Sequence, residues 1–97
     1  MNERKLIANP TIVLREEFDN WAILFDPDTG NAFGINPMGV LIWKHLNGKY
    51  DIDGILEKIH ETAENIPSNV GDHVYNFLQN AIELGLAGYT INGTYHV

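Results

Sequence analysis

The apolar positions of this 97-residue chain form short runs near both ends and take helical spacing in between. Thr11-Ile12-Val13-Leu14 is β-branched and apolar, and Pro10 before it suits an extended entry. Trp21-Ala22-Ile23-Leu24-Phe25, bounded by Asp19-Asn20 and Asp26-Pro27, is too short for an isolated helix and reads as a second strand. Asp26-Pro27-Asp28-Thr29-Gly30 supplies a turn in which Pro27 presets φ and Gly30 takes the positive φ of a closing bulge. The return strand, Asn31-Ala32-Phe33-Gly34-Ile35, puts Phe33 and Ile35 on one face and Ala32 and Gly34 on the other. One face packs and the other is nearly bare.

At Asn36-Pro37 the period becomes helical, with Asn36 as cap and Pro37 at the first helical position, where a missing N–H costs nothing. This helix carries Val40, Leu41, Trp43 and Leu46 and stops at Asn47-Gly48. Asp51 caps a second helix whose Ile52, Ile55, Leu56, Ile59 and Ala63 make one stripe, and Ile66-Pro67 ends it. Ser68 offers the cap of a third, running to Leu84 with Gly85 as left-handed terminator. Gly88 to Val97 then reads as a β-hairpin around Asn92-Gly93, the favoured type I′ pair. The expected class is α+β: a three-stranded N-terminal antiparallel sheet, three helices and a C-terminal hairpin, in one domain spanning residues 1–97.

The third helix has more apolar surface than a single core requires. At 100° per residue, Val70, Val74, Tyr75, Phe77, Leu78, Ala81, Ile82 and Leu84 occupy an arc of roughly 180°, whereas packing on one core needs about 100°. The surplus is assigned to Tyr75, Leu78 and Ile82. Two uses remain open: burial of the whole arc, or one wall of a groove. The strand Asn31 to Ile35 is the candidate for the opposite wall, because an edge strand offers unpaired N–H and C=O groups to an incoming peptide.

Thirteen Asp+Glu against six Lys+Arg give a net charge of −7, which repels a phosphate backbone. The absence of cysteine removes disulfides, thiolate zinc sites, iron–sulfur clusters and thiol nucleophiles. Residues 1–10 are short and polar, without a signal-peptide core, and no later segment approaches the ~20 apolar residues of a membrane span. A cytoplasmic location is expected, and with it Asn92-Gly93-Thr94 as a turn and not a glycan acceptor. His45, His60, His73 and His96 lie on different elements, and His60-Glu61-Thr62-Ala63-Glu64 has Glu64 where a zincin motif needs its second histidine. Gly30 to Gly34 lacks the lysine of a phosphate loop, and Ser68, the only serine, is placed to cap a helix. Glu16-Glu17 and Asp51/Asp53 sit in polar contexts that would not tune an acid–base pair. No enzyme, cofactor or metal is expected, and Trp21, Phe25 and Trp43 are expected in the core.

The stretch from Ile35 to Gly48 resembles the signature of the PqqD family: an Asn-x-x-Gly helix start at Asn36 and Gly39, the pair Ile42-Trp43, then Leu46-Asn47-Gly48. Asp51 to Ile59 is similar to the family's second helix, and Val70 to Leu78 with Leu84-Gly85-Leu86 is similar to its final segment. The resemblance spans roughly residues 8–87, with Pro37 and the terminal hairpin as departures. It implies a winged-helix-like peptide chaperone that binds the leader segment of a ribosomally made precursor peptide and presents the precursor to a modifying enzyme, such as a radical SAM enzyme. It further implies that the leader adds as a strand to Asn31, Ala32, Phe33, Gly34 and Ile35 and lies against Asp72, Tyr75, Leu78, Gln79 and Ile82. The chain would act as a monomer or homodimer, without nucleic acid or membrane. Two other readings remain. One is a DNA-binding winged-helix regulator, against which stands the lack of any Lys or Arg in residues 68–87. The other is a structural subunit that dimerises through the surplus arc.

Overall fold

Side-chain caps start the first two helices. Asn36 Oδ1 accepts the Gly39 N–H and Asp51 Oδ1 accepts the Gly54 N–H, both at 2.8 Å. A computed structural model describes residues 4–63, 65–91 and 94–96. In chain order the elements are β1 (Leu6–Ala8), β2 (Val13–Glu16), β3 (Ala22–Phe25), β4 (Ala32–Ile35), α1 (Pro37–Lys44), β5 (Asn47–Tyr50), α2 (Ile52–Thr62), α3 (Val70–Glu83), β6 (Ala87–Ile91) and β7 (Thr94–His96). One antiparallel sheet has the order β2-β3-β4 and the other β5-β1-β6-β7. The class is α+β, and the succession α1-β5-α2-α3-β6-β7 is that of a winged helix, with the β6–β7 hairpin as its wing. The Asn92-Gly93 turn of that hairpin lies outside the described residues.

The core lies between the sheets and the helices. Val70, Val74, Leu78 and Ala81 of α3 are buried with Ile55 and Ile59 of α2, Val40, Ile42 and Trp43 of α1, and Ala22, Leu24 and Ile35 of the three-stranded sheet. Each fully buried large aliphatic side chain contributes about 1.5–3 kcal/mol. The C-terminal end of α3 is tied to distant chain: the Gly85 carbonyl accepts Asn9 Nδ2 at 2.9 Å and the Tyr95 hydroxyl at 3.3 Å, and the Leu86 carbonyl accepts the Asn9 N–H at 2.8 Å. Gly85 makes this turn at φ +76°, where a side chain would be strained.

Several sequence expectations are corrected. The polar N-terminal segment contains β1, which runs between β5 and β6, and its Leu6 is 1% exposed. Asn47-Gly48 does not end α1, which stops at Lys44; it opens β5, where Gly48 sits at φ +84° beside a register shift against β1. Helix α2 ends at Thr62, before Ile66-Pro67, and the N-cap of α3 is Asn69, not Ser68, with no side-chain cap bond. Trp43 is in the core, but Trp21 and Phe25 are 52% and 40% exposed. Their positions share the outward parity of Ile23, whereas Ala22 and Leu24 point inward.

Two stability predictions follow from this packing. Leu6→Ala should lower the unfolding free energy by about 2–5 kcal/mol in urea titration, and an unchanged midpoint would overturn the burial of Leu6 in the core. Burial raises the pKa of Tyr95 above its ordinary 10.0. The unfolded chain therefore loses the phenol proton first, so stability should be level below pH 10.0 and fall as the pH rises further, until the folded state ionises as well. Tyr95→Phe should flatten that fall in denaturation curves compared across the alkaline range.

Candidate functional site

Strand β4 pairs with β3 on one side and is an edge on the other. The pairing determines which backbone groups face that edge. The Asp26 N–H donates to the Asn31 carbonyl at 2.9 Å, so these two residues form a hydrogen-bonded pair. Such pairs alternate with non-hydrogen-bonded ones along an antiparallel ladder. Leu24↔Phe33 and Ala22↔Ile35 are then hydrogen-bonded, and Phe25↔Ala32 and Ile23↔Gly34 are not. Phe33 and Ile35 direct their N–H and C=O inward to β3, whereas Ala32 and Gly34 turn theirs to the open edge.

Beside this edge lies an apolar cleft of about 190 Å³. Phe33, Gly34 and Ile35 form its strand wall, and Phe77, Asn80, Ala81 and Leu84 form its helix wall. Leu24 and Leu86 also line it. Leu84 is 54% exposed and Phe77 half-buried, so the helix wall has apolar surface not covered by the protein itself. Gly39 of α1 positions the Phe77 ring. A Cβ at residue 39 would lie 3.0 Å from the ring and 3.2 Å from the Ile35 Cβ. The Asn-x-x-Gly motif therefore has two physical roles, since Asn36 caps the helix while Gly39 leaves room for one wall of the cleft.

Of the expected strand residues, Phe33, Gly34 and Ile35 line the cleft. Ala32 projects from the opposite face, and Asn31 lies in the turn, its N–H bonded to Thr29 Oγ1 and its carbonyl to Asp26. The expected helix residues do not line it. Leu78 is 1% exposed and belongs to the core, Ile82 packs on the core, and Asp72, Tyr75 and Gln79 are exposed on the side of α3 turned away from β4. Apolar surface is left exposed at both ends of the arc: at Tyr75, 51% exposed as expected but on the side away from β4, and on the cleft side at Phe77 and Leu84. Their spacing of seven residues puts them on one side of the helix.

No catalytic arrangement emerges around the cleft. Asn80 is the one polar side chain among its lining residues, and the exposed charged residues of α3 are Asp72 and Glu83. Among the described residues, no group of three or more His, Asp or Glu could hold a metal ion, and no helix is long and apolar enough to cross a membrane.

The fold is similar to TbiB1 in complex with the TbiA(beta) leader peptide, with a TM-score of 0.68 and 22% identity, over 88% of this chain and 99% of that one. It is also similar to the lasso peptide synthetase B1 complexed with the leader peptide, with a TM-score of 0.68, 17% identity and coverages of 86% and 96%. The heterocyclase TruD matches with a TM-score of 0.65 and 16% identity over 90% of this chain, which spans only 12% of that larger protein. At these identities the likeness establishes the fold. No curated protein matches the chain. The family model described as coenzyme PQQ synthesis protein D matches residues 22–87, which take in β3, β4, all three helices and the start of β6, and the chain therefore belongs to the PqqD family.

Proposed function

We propose that this chain binds the leader segment of a ribosomally made precursor peptide and delivers the precursor to a peptide-modifying enzyme. The observation that carries this reading is an open strand edge, at Ala32 and Gly34, directly beside an apolar cleft walled by Phe77 and Leu84. An extended peptide added to β4 would pair its main chain with those two residues and place alternate side chains in the cleft. The similar TbiB1 and lasso peptide synthetase B1 structures contain leader peptides, which supports the assignment. The chain itself then has no bond-making role. Binding holds the precursor near the enzyme and raises its effective concentration there. A radical SAM enzyme is the partner class that the family resemblance implies, and the cytoplasm is the compartment where such a precursor would be met.

The helix face is the part of this proposal that mutation tests best. With a cognate leader measured by calorimetry, Phe77→Ala and Leu84→Asp should each weaken binding at least tenfold, and Tyr75→Ala on the far face should change it less than twofold. Gly39→Val, which pushes on the Phe77 ring, should weaken binding about fivefold while the far-ultraviolet circular dichroism stays native. In an NMR titration the amides of residues 32–35 and 77–86 should shift. Shifts confined to the first ten residues would overturn the proposal.

A further inference from the structure

The outer face of the three-stranded sheet plays no part in the cleft, yet it is apolar and open. Val13, Ile23 and Phe25 project from it, with Arg15 at its rim held to Glu17 at 2.9 Å, and together with Ala32 they line a shallow depression of about 290 Å³. Phe25 is 40% exposed and Val13 52%. Toward β4 this face is bare, because the outward residues there are Ala32 and Gly34, and a Cβ at Gly34 would meet nothing within 4 Å.

The same two residues turn their N–H and C=O groups to the open edge. In a β-ladder, a residue directly opposite another projects its side chain to the same face. A peptide residue opposite Gly34 must therefore project over the outer face, beside the bare glycine and toward Ile23. The residue opposite Ala32 does the same toward Phe25, and the one between them enters the cleft. Strands lie about 4.8 Å apart, so a Leu, Phe or Tyr side chain can lean across the missing side chain to reach the second strand. A second copy of the chain suits this face poorly, since two molecules of charge −7 repel. The pleat, in contrast, forces any strand bound at this edge to cover it.

We propose that the leader is read on both faces of its strand, through a contiguous run of three bulky apolar residues: the central one in the cleft beside Phe33 and Phe77, the outer two over Gly34 and Ala32 against Ile23 and Phe25. This inference rests on the leader-binding reading and adds to it the pattern of the ligand. Cleft recognition alone would select apolar residues at every second position, whereas recognition on both faces selects an uninterrupted run.

The test is selection of displayed random ten-residue peptides on the full chain, with Leu84→Asp as the control surface. Enriched peptides should carry three consecutive apolar residues. Replacing the two outward residues of a selected peptide by serine should weaken its binding at least fivefold to the wild-type chain, but less than twofold to an Ile23→Ser/Phe25→Ser double variant, which lacks both partners. Strictly alternating apolar and polar residues among the enriched peptides, or serine replacements without effect on the wild-type chain, would overturn two-faced reading and leave strand addition at the cleft intact. Peptides retained equally by the wild type and Leu84→Asp would overturn the leader-binding reading as well.

Discussion

The rotation of α3 about its own axis determines what the protein presents. Val70, Val74, Leu78 and Ala81 are buried against the other helices and the sheets, and this burial fixes the helix in one orientation. Phe77 and Leu84 then face β4, while Asp72, Tyr75 and Gln79 face solvent on the far side. Turning the helix far enough to bring Tyr75 to the cleft would expose Leu78 and Val74. That loss, at about 1.5–3 kcal/mol for each large side chain, exceeds what one aromatic contact returns. The C-terminal end of α3 is held accordingly, since Gly85 reverses the chain and its carbonyl accepts donors from both Asn9 and Tyr95.

Much of the fold was legible because it is encoded locally. Asn36 and Asp51 cap helices within three residues, Asp26 to Gly30 closes a hairpin, and Gly85 terminates α3 at positive φ. Strands β1 and β5 were not legible, since each is only three or four residues long and gains its hydrogen bonds from chain far away in sequence. Leu6-Ile7-Ala8 has no alternation to announce it, and Asn47-Gly48 carries the same chemistry whether it stops a helix or opens a bulged strand. For that reason the sequence alone does not separate the end of α1 at Lys44 from the start of β5 at Asn47.

The candidate cleft was half legible. The alternation in residues 32–35 identified both the packed and the bare face of β4, which is a purely local property of a pleated strand. The helix wall was not, although Phe77 and Leu84 belong to the apolar arc that the sequence displays. Periodicity shows how wide an arc is but not which end the core uses. That choice depends on where β4 lies relative to α2, and thus on tertiary packing alone. One signal was available: Leu84 comes at the end of the helix, one residue before its terminating glycine, where little of the protein's own chain can cover it.

An open edge beside exposed apolar residues is a liability as well as a site, since it can pair with the same edge of another copy. Three features of this chain oppose that outcome. The strand is only four residues long, its edge-facing residues are alanine and glycine, which favour strands weakly, and its preceding turn carries Asp26 and Asp28. A net charge of −7 adds a longer-range repulsion between copies. None of these would bar the flexible peptide of the proposed function, which would need only the backbone groups of Ala32 and Gly34 and apolar contacts beside them. The acidity that argues against nucleic acid thus also lets the chain keep an unpaired strand at its surface.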